Sequence, residues 1–99
     1  MKLISITKSK KPDKKFDAIF EDNGRTKTTS FGAIQNGKPM DDYTITHDKE
    51  QRDRYRARHA KDLKTNDPTR AGFLSYYCLW GSSISLHKNI ATYKNVFNL

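Results

Sequence analysis

Period-two alternation organises the first third of the chain. In residues 2–8, Ile4 and Ile6 fall on one face of a predicted strand, and Lys8, Lys10, Lys11 and Pro12 then make a basic connection. A second strand is predicted at about 15–21, where Phe16, Ala18 and Phe20 alternate with Asp17, Ile19 and Glu21. Asn23-Gly24 supplies two residues that tolerate positive φ, as a two-residue hairpin turn requires, so a third strand at about 25–31 pairs back. That register sets Phe16 opposite Phe31 and Ala18 opposite Thr29. Residues 32–42, with Gly37-Lys38-Pro39, read as a loop.

Beyond the loop the period changes to that of a helix. A first helix is predicted at about 48–63, with Asp48 and Glu50 at its positive end. Tyr55, His59 and Leu63 share one face, and Arg54, Arg58 and Lys61 lie nearly opposite. Asp67 as N-cap and Pro68 at the first helical position predict a second helix, 68–80, apolar around most of its circumference. Ser82 or Ser83 caps a third, 83–97, in which Leu86, Ile90, Tyr93 and Phe97 form a packing stripe. The expected fold is α+β in a single domain, 1–99: an N-terminal three-stranded antiparallel sheet with a hairpin turn at Asn23-Gly24, then three helices.

Composition sharpens this. Apolar residues are 34% of 99 and mean hydropathy is −0.91, which predicts a small core and much contact surface. Nineteen Lys and Arg against eleven Asp and Glu give +8, a balance that favours anionic partners: nucleic acid, a lipid headgroup layer or an acidic protein surface. The basicity is spread along the chain without a polybasic tail. One cysteine, Cys78, excludes an internal disulfide and fits a reducing compartment. No stretch approaches the roughly 20 apolar residues of a membrane-spanning helix, and Leu3-Ile4-Ser5-Ile6 is too short and polar for a signal peptide.

Two groups of residues carry candidate chemistry. Arg52, Arg54, Arg56, Arg58 and Lys61 are candidates for partner or phosphate contact, since guanidinium groups bind oxyanions bidentately at any relevant pH. On a helix they separate into two stripes. Arg54, Arg58 and Lys61 face outward, whereas Arg52 and Arg56 flank the packing face and are expected to meet carboxylates or carbonyls. Asp48 to Arg52 and Glu50 to Arg54 offer i,i+4 pairs. Phe73, Tyr76, Tyr77, Trp80, Tyr93 and Phe97 form an aromatic group that, at helical spacing, is core or interface before it is a stacking platform.

Other constellations are weak. His47, His59, His87 and Cys78 lack the close pairs of a metal site, and no metal or other cofactor is expected. Cys78 lies within Tyr76-Tyr77-Cys78-Leu79-Trp80, where burial hides a nucleophile. Asp41-Asp42 suits a turn or cap better than acid–base chemistry. Gly32, Gly37 and Gly81 match no phosphate-cradling loop, and no groove-reading motif is present. The chain is not expected to be an enzyme.

The spaced set Phe31-Gly32-Ala33, Asp42-Tyr43-Thr44, Arg52-Asp53-Arg54-Tyr55, Arg58-His59, Asp67-Pro68, Ala71-Gly72-Phe73-Leu74-Ser75 and Leu79-Trp80 resembles small basic proteins of large nucleocytoplasmic DNA viruses, a family without an assigned enzymatic activity. The likeness covers about 27–97 and departs from the family pattern at His47-Asp48-Lys49 and Gly81-Ser82-Ser83. It implies a virion protein made in the host cytoplasm: a minor capsid or capsid-associated subunit bridging viral capsid proteins within a large assembly. The alternative is a virion protein that binds DNA without sequence preference.

Overall fold

The computed structural model describes residues 1–99. Asn23 and Gly24, at φ 53° and 79°, turn β2 (Lys14–Asp22) back into β3 (Arg25–Gln35), and Asp22 pairs with Arg25 across the two-residue loop. The register follows from that loop: Phe16 opposes Phe31 and Ala18 opposes Thr29. β1 (Lys2–Lys8) pairs antiparallel with the other side of β2.

Strand β1 does not keep the simple alternation. Leu3 pairs with Phe20 and Ser5 with Ile19, so Ile4 is the extra residue of a bulge. The bulge brings Leu3 and Ile6 to the core side and leaves Ile4 53% exposed, which corrects the expectation that Ile4 and Ile6 share a face. Residues 32–42 are not a loop throughout. Asn36 and Gly37, at φ 53° and 75°, make a second two-residue turn, and β4 (Lys38–Pro39) pairs with the end of β3. The antiparallel sheet therefore has four strands in the order β1-β2-β3-β4. Pro39 sits on the edge strand, where a missing N–H costs little.

Within β3, Gly32 has φ 77° and lies under the stem of Lys15; a Cβ there would come within 2.9 Å of Lys15 Cβ. Both the backbone angle and the crossing lysine require glycine. Lys15 thereby reaches Asp42, which caps a one-turn helix, α1 (Tyr43–Thr46), by accepting from Thr44 N.

Asp48 caps α2 (Lys49–His59) by accepting from Glu50 N and Gln51 N, and a 3-10 segment, Ala60–Thr65, extends it to about the length expected. The next helix starts later than 68. Asp67 accepts from Thr69 N and Thr69 Oγ1, an Asx turn that consumes the carboxylate, so α3 (Ala71–Leu74) begins beyond Arg70. It widens into a π-helical turn, Ser75–Leu79, closed by Trp80 N donating to Ser75 O. Helix α4 (Leu86–Phe97) is capped by Ser85 rather than Ser82 or Ser83; Ser83 is occupied with Asn89 and Ser85.

Leu3, Ala18, Phe20 and Phe31 of the sheet pack with Leu74, Cys78, Leu79 and Trp80, joined by Tyr43 and by Tyr93 of α4. Only 17 of 99 residues are buried, so polar clasps hold much of the periphery. One is Asp17, which accepts from Ser9 Oγ and Ser30 Oγ, each at 2.6 Å, and from Lys10 N. These hydrogen bonds, that of Ser30 foremost, hold its carboxyl below the ordinary 3.8. A lowered native pKa means the contribution is present above the unfolded value and lost as pH falls through the native one. The urea midpoint of the wild type is expected to fall toward that of Asp17→Asn as pH drops below about 4; an acid-independent gap between the two proteins would rule this out.

Candidate functional site

Helix α2 buries no residue completely, so side chains at its flanks fasten it to the rest of the molecule. Arg56 lies over the Tyr76 ring, 4.2 Å from its centroid, and donates from Nη1 to Trp80 O at 2.8 Å. Arg52 lies 4.7 Å over the Tyr43 ring and pairs with Asp53 at 3.1 Å. The inward stripe therefore meets carbonyl, carboxylate and ring faces, as its position on the helix implies. Neither expected i,i+4 pair forms: Asp48 is spent on the cap while Arg52 turns toward α1, and Glu50 makes no ion pair with Arg54. Arg54, Arg58 and Lys61 remain exposed and join no ion pair.

Phe73, Tyr77, Tyr93 and Phe97 gather where α3 and its π-helical turn meet α4, while Tyr76 and Trp80 meet side chains of α2. Phe73, Trp80 and Tyr93 are buried, and Tyr76, Tyr77 and Phe97 are half-buried. Phe97 packs edge-on against Phe73, Tyr77 and Tyr93 at 5.0–5.5 Å between centroids. Tyr93 donates its hydroxyl to Pro68 O, and burial raises its pKa. Burial also pushes the Cys78 thiol up to about 12, so the thiolate needed for attack is scarce at neutral pH. His47 closes α1 in a left-handed conformation and His87 is exposed in the first turn of α4. No three metal-ligating side chains converge.

A cleft of about 740 Å³ opens between α2, the start of α3 and the β3–β4 end of the sheet. On one wall Tyr55 stacks on Trp80 at 4.3 Å and 9°, and on His59 at 4.0 Å and 19°. His59 Nδ1 is 3.0 Å from Asp62 Oδ2. Burial, and next the Asp62 charge, push the Tyr55 hydroxyl up to about 12. The same cleft is lined by the Lys15–Asp42 ion pair, which at 2.6 Å is almost wholly buried. This pair escaped the sequence reading: its partners lie 27 residues apart, with no local pattern linking a strand lysine to a cap aspartate.

Residues 4–59 match the profile of a family of unknown function, DUF5754. The chain belongs to that family. No curated protein and no solved structure matches it. The DUF5754 segment runs from the bulge residue of β1 to the last residue of α2. It thus holds the sheet, the Lys15–Asp42 pair and all four arginines of α2. Trp80, Asp62 and Lys61 come from beyond the DUF5754 match, so the ring stack and the outer cationic stripe are each completed by the C-terminal part of the chain.

Proposed function

We propose that this DUF5754 protein is a non-catalytic structural subunit of a large DNA virus particle, a minor capsid or capsid-associated protein bridging larger coat proteins and made in the host cytoplasm. The observation that carries the reading is the outer face of α2 and its 3-10 extension, where Arg54, Arg58 and Lys61 stand exposed and join no ion pair within the chain. Arg52, Arg56 and Tyr55 clamp the helix from behind, so the helix itself is already ordered when a partner arrives, which lowers the cost of binding. An acidic patch on a coat protein complements such a face, and the likeness to small basic proteins of DNA viruses supplies the setting.

The same cations, together with exposed Lys8, Lys10 and Lys11, favour phosphate as a second reading, that of sequence-nonspecific binding to the genome. The double variant Arg54→Glu/Arg58→Glu separates the two. Its affinity for purified coat protein is expected to fall about thirtyfold, the equivalent of about 2 kcal/mol, because like charges are placed in contact. Unchanged coat-protein affinity with lost duplex DNA binding would instead make the face a phosphate surface.

A further inference from the structure

The cleft holds a ring stack that coat binding through the outer face of α2 does not use, although Arg58 borders both surfaces. Tyr55 lies nearly parallel to both Trp80 and His59 at about 4 Å, a geometry that places the two on opposite faces of its ring. Trp80 is 7% exposed and the His59 side chain 38%, so the three-ring stack begins in the core and ends at the cleft. The Asp62 contact and Tyr55 fix the plane of the imidazole. Arg58 precedes His59 in the chain, and Lys14 of β2 lines the same cleft. Neither cation has a carboxylate partner, whereas Lys15 and Asp42 neutralise each other and Asp62 is engaged by His59. Asp41 at the rim is the one unpaired acid among the lining residues.

We infer that this cleft binds a nucleobase with its phosphate: the base extends the stack by lying on the outer face of His59, and the phosphate is met by Arg58 and Lys14. The cleft volume falls within the roughly 300–1,000 Å³ of small-ligand sites. The base must come from a single strand or a free nucleotide, because a duplex offers no open ring face away from its ends. Stacking on a protein ring tolerates any base, so the site reads no sequence.

The test is fluorescence anisotropy of a labelled short oligothymidylate at low salt, with the duplex of equal length and unlabelled AMP as competitors. The single strand is expected to bind more tightly than the duplex. His59→Ala should weaken it about tenfold, while His59→Phe, which keeps a ring but loses the Asp62 bond, should retain it. Arg58→Gln should lower the salt slope by about 0.7. Competition by AMP would assign the site to free nucleotides, and resistance to AMP would assign it to single strands; either upholds the inference. Equal affinity for both strand forms with no effect of His59→Ala, or no binding at all, overturns it. Coat-protein affinity of His59→Ala, expected to be unchanged, is measured alongside, so failure here is distinguishable from failure of the coat-binding reading.

Discussion

Lys15→Met is expected to destabilise the protein by about 3–5 kcal/mol, the usual cost of leaving one member of a buried ion pair alone. Lys15 and Asp42 have side-chain exposures of 7% and 2%. The ammonium donates to Asp42 Oδ2 at 2.6 Å and to Met40 O. Asp42 Oδ1 is held by Thr44 N at 2.8 Å and by the Thr44 hydroxyl, so the carboxylate cannot turn toward water without uncapping α1. Methionine fills the space of the stem over Gly32 and isolates the effect of the charge. Because small domains have only about 5–15 kcal/mol of stability in total, the variant should be largely unfolded at modest urea concentration. Lys15→Met/Asp42→Asn, which removes the orphaned charge as well, should recover part of the loss. Urea denaturation followed by circular dichroism gives the answer, and a midpoint unchanged in Lys15→Met would refute the assignment.

Asn89→Asp should cost about 3 kcal/mol. Asn89 is 1% exposed, and its side chain closes the chain between α3 and α4. Nδ2 donates to Cys78 O at 2.9 Å and Ser83 O at 2.7 Å, and Oδ1 accepts from Ser83 N at 3.0 Å. Aspartate has the same shape but no donors, so a buried carboxylate would face two carbonyl oxygens. Gly81 belongs to the same knot, since a Cβ there would lie 2.2 Å from Tyr77 O and 2.8 Å from the Asn89 side chain. Gly81→Ala should therefore be destabilising too, and its combination with Asn89→Asp less than additive. Thermal melts of the two single variants and the pair measure this; additive losses would show that the residues act separately.

The sequence signals that succeeded were those whose physics is local. Asn23-Gly24 and the phenylalanines on either side determine a hairpin and its register together. Asn36-Gly37 carries the same turn chemistry, but its flanks, Ala33-Ile34-Gln35 and Lys38-Pro39-Met40, lack the apolar alternation that marks strands, so the sequence predicts a loop where a second hairpin forms. The bulge at Ile4 is invisible because Leu3, Ile4 and Ile6 are all apolar, and only pairing with Phe20 and Ala18 selects two of them. Asp67-Pro68 is a sound helix start by composition, yet Thr69 captures the carboxylate first. In α2 the helical period separated inward from outward arginines correctly. It could not foresee that Asp48 would cap the helix rather than pair with Arg52. The ring stack needed Trp80 brought beside Tyr55, a contact that only the tertiary fold creates.

A place in the shell of a virus particle, as proposed for this protein, is open to direct measurement. The direct measurement is to open purified particles gently, strip the genome with nuclease and salt, and quantify this chain by mass spectrometry in the emptied shell and in the released core. Recovery with the shell, at a fixed ratio to the major coat protein, is the expected result. Recovery with the DNA, lost as salt rises, would contradict it and make the α2 face a phosphate-binding surface.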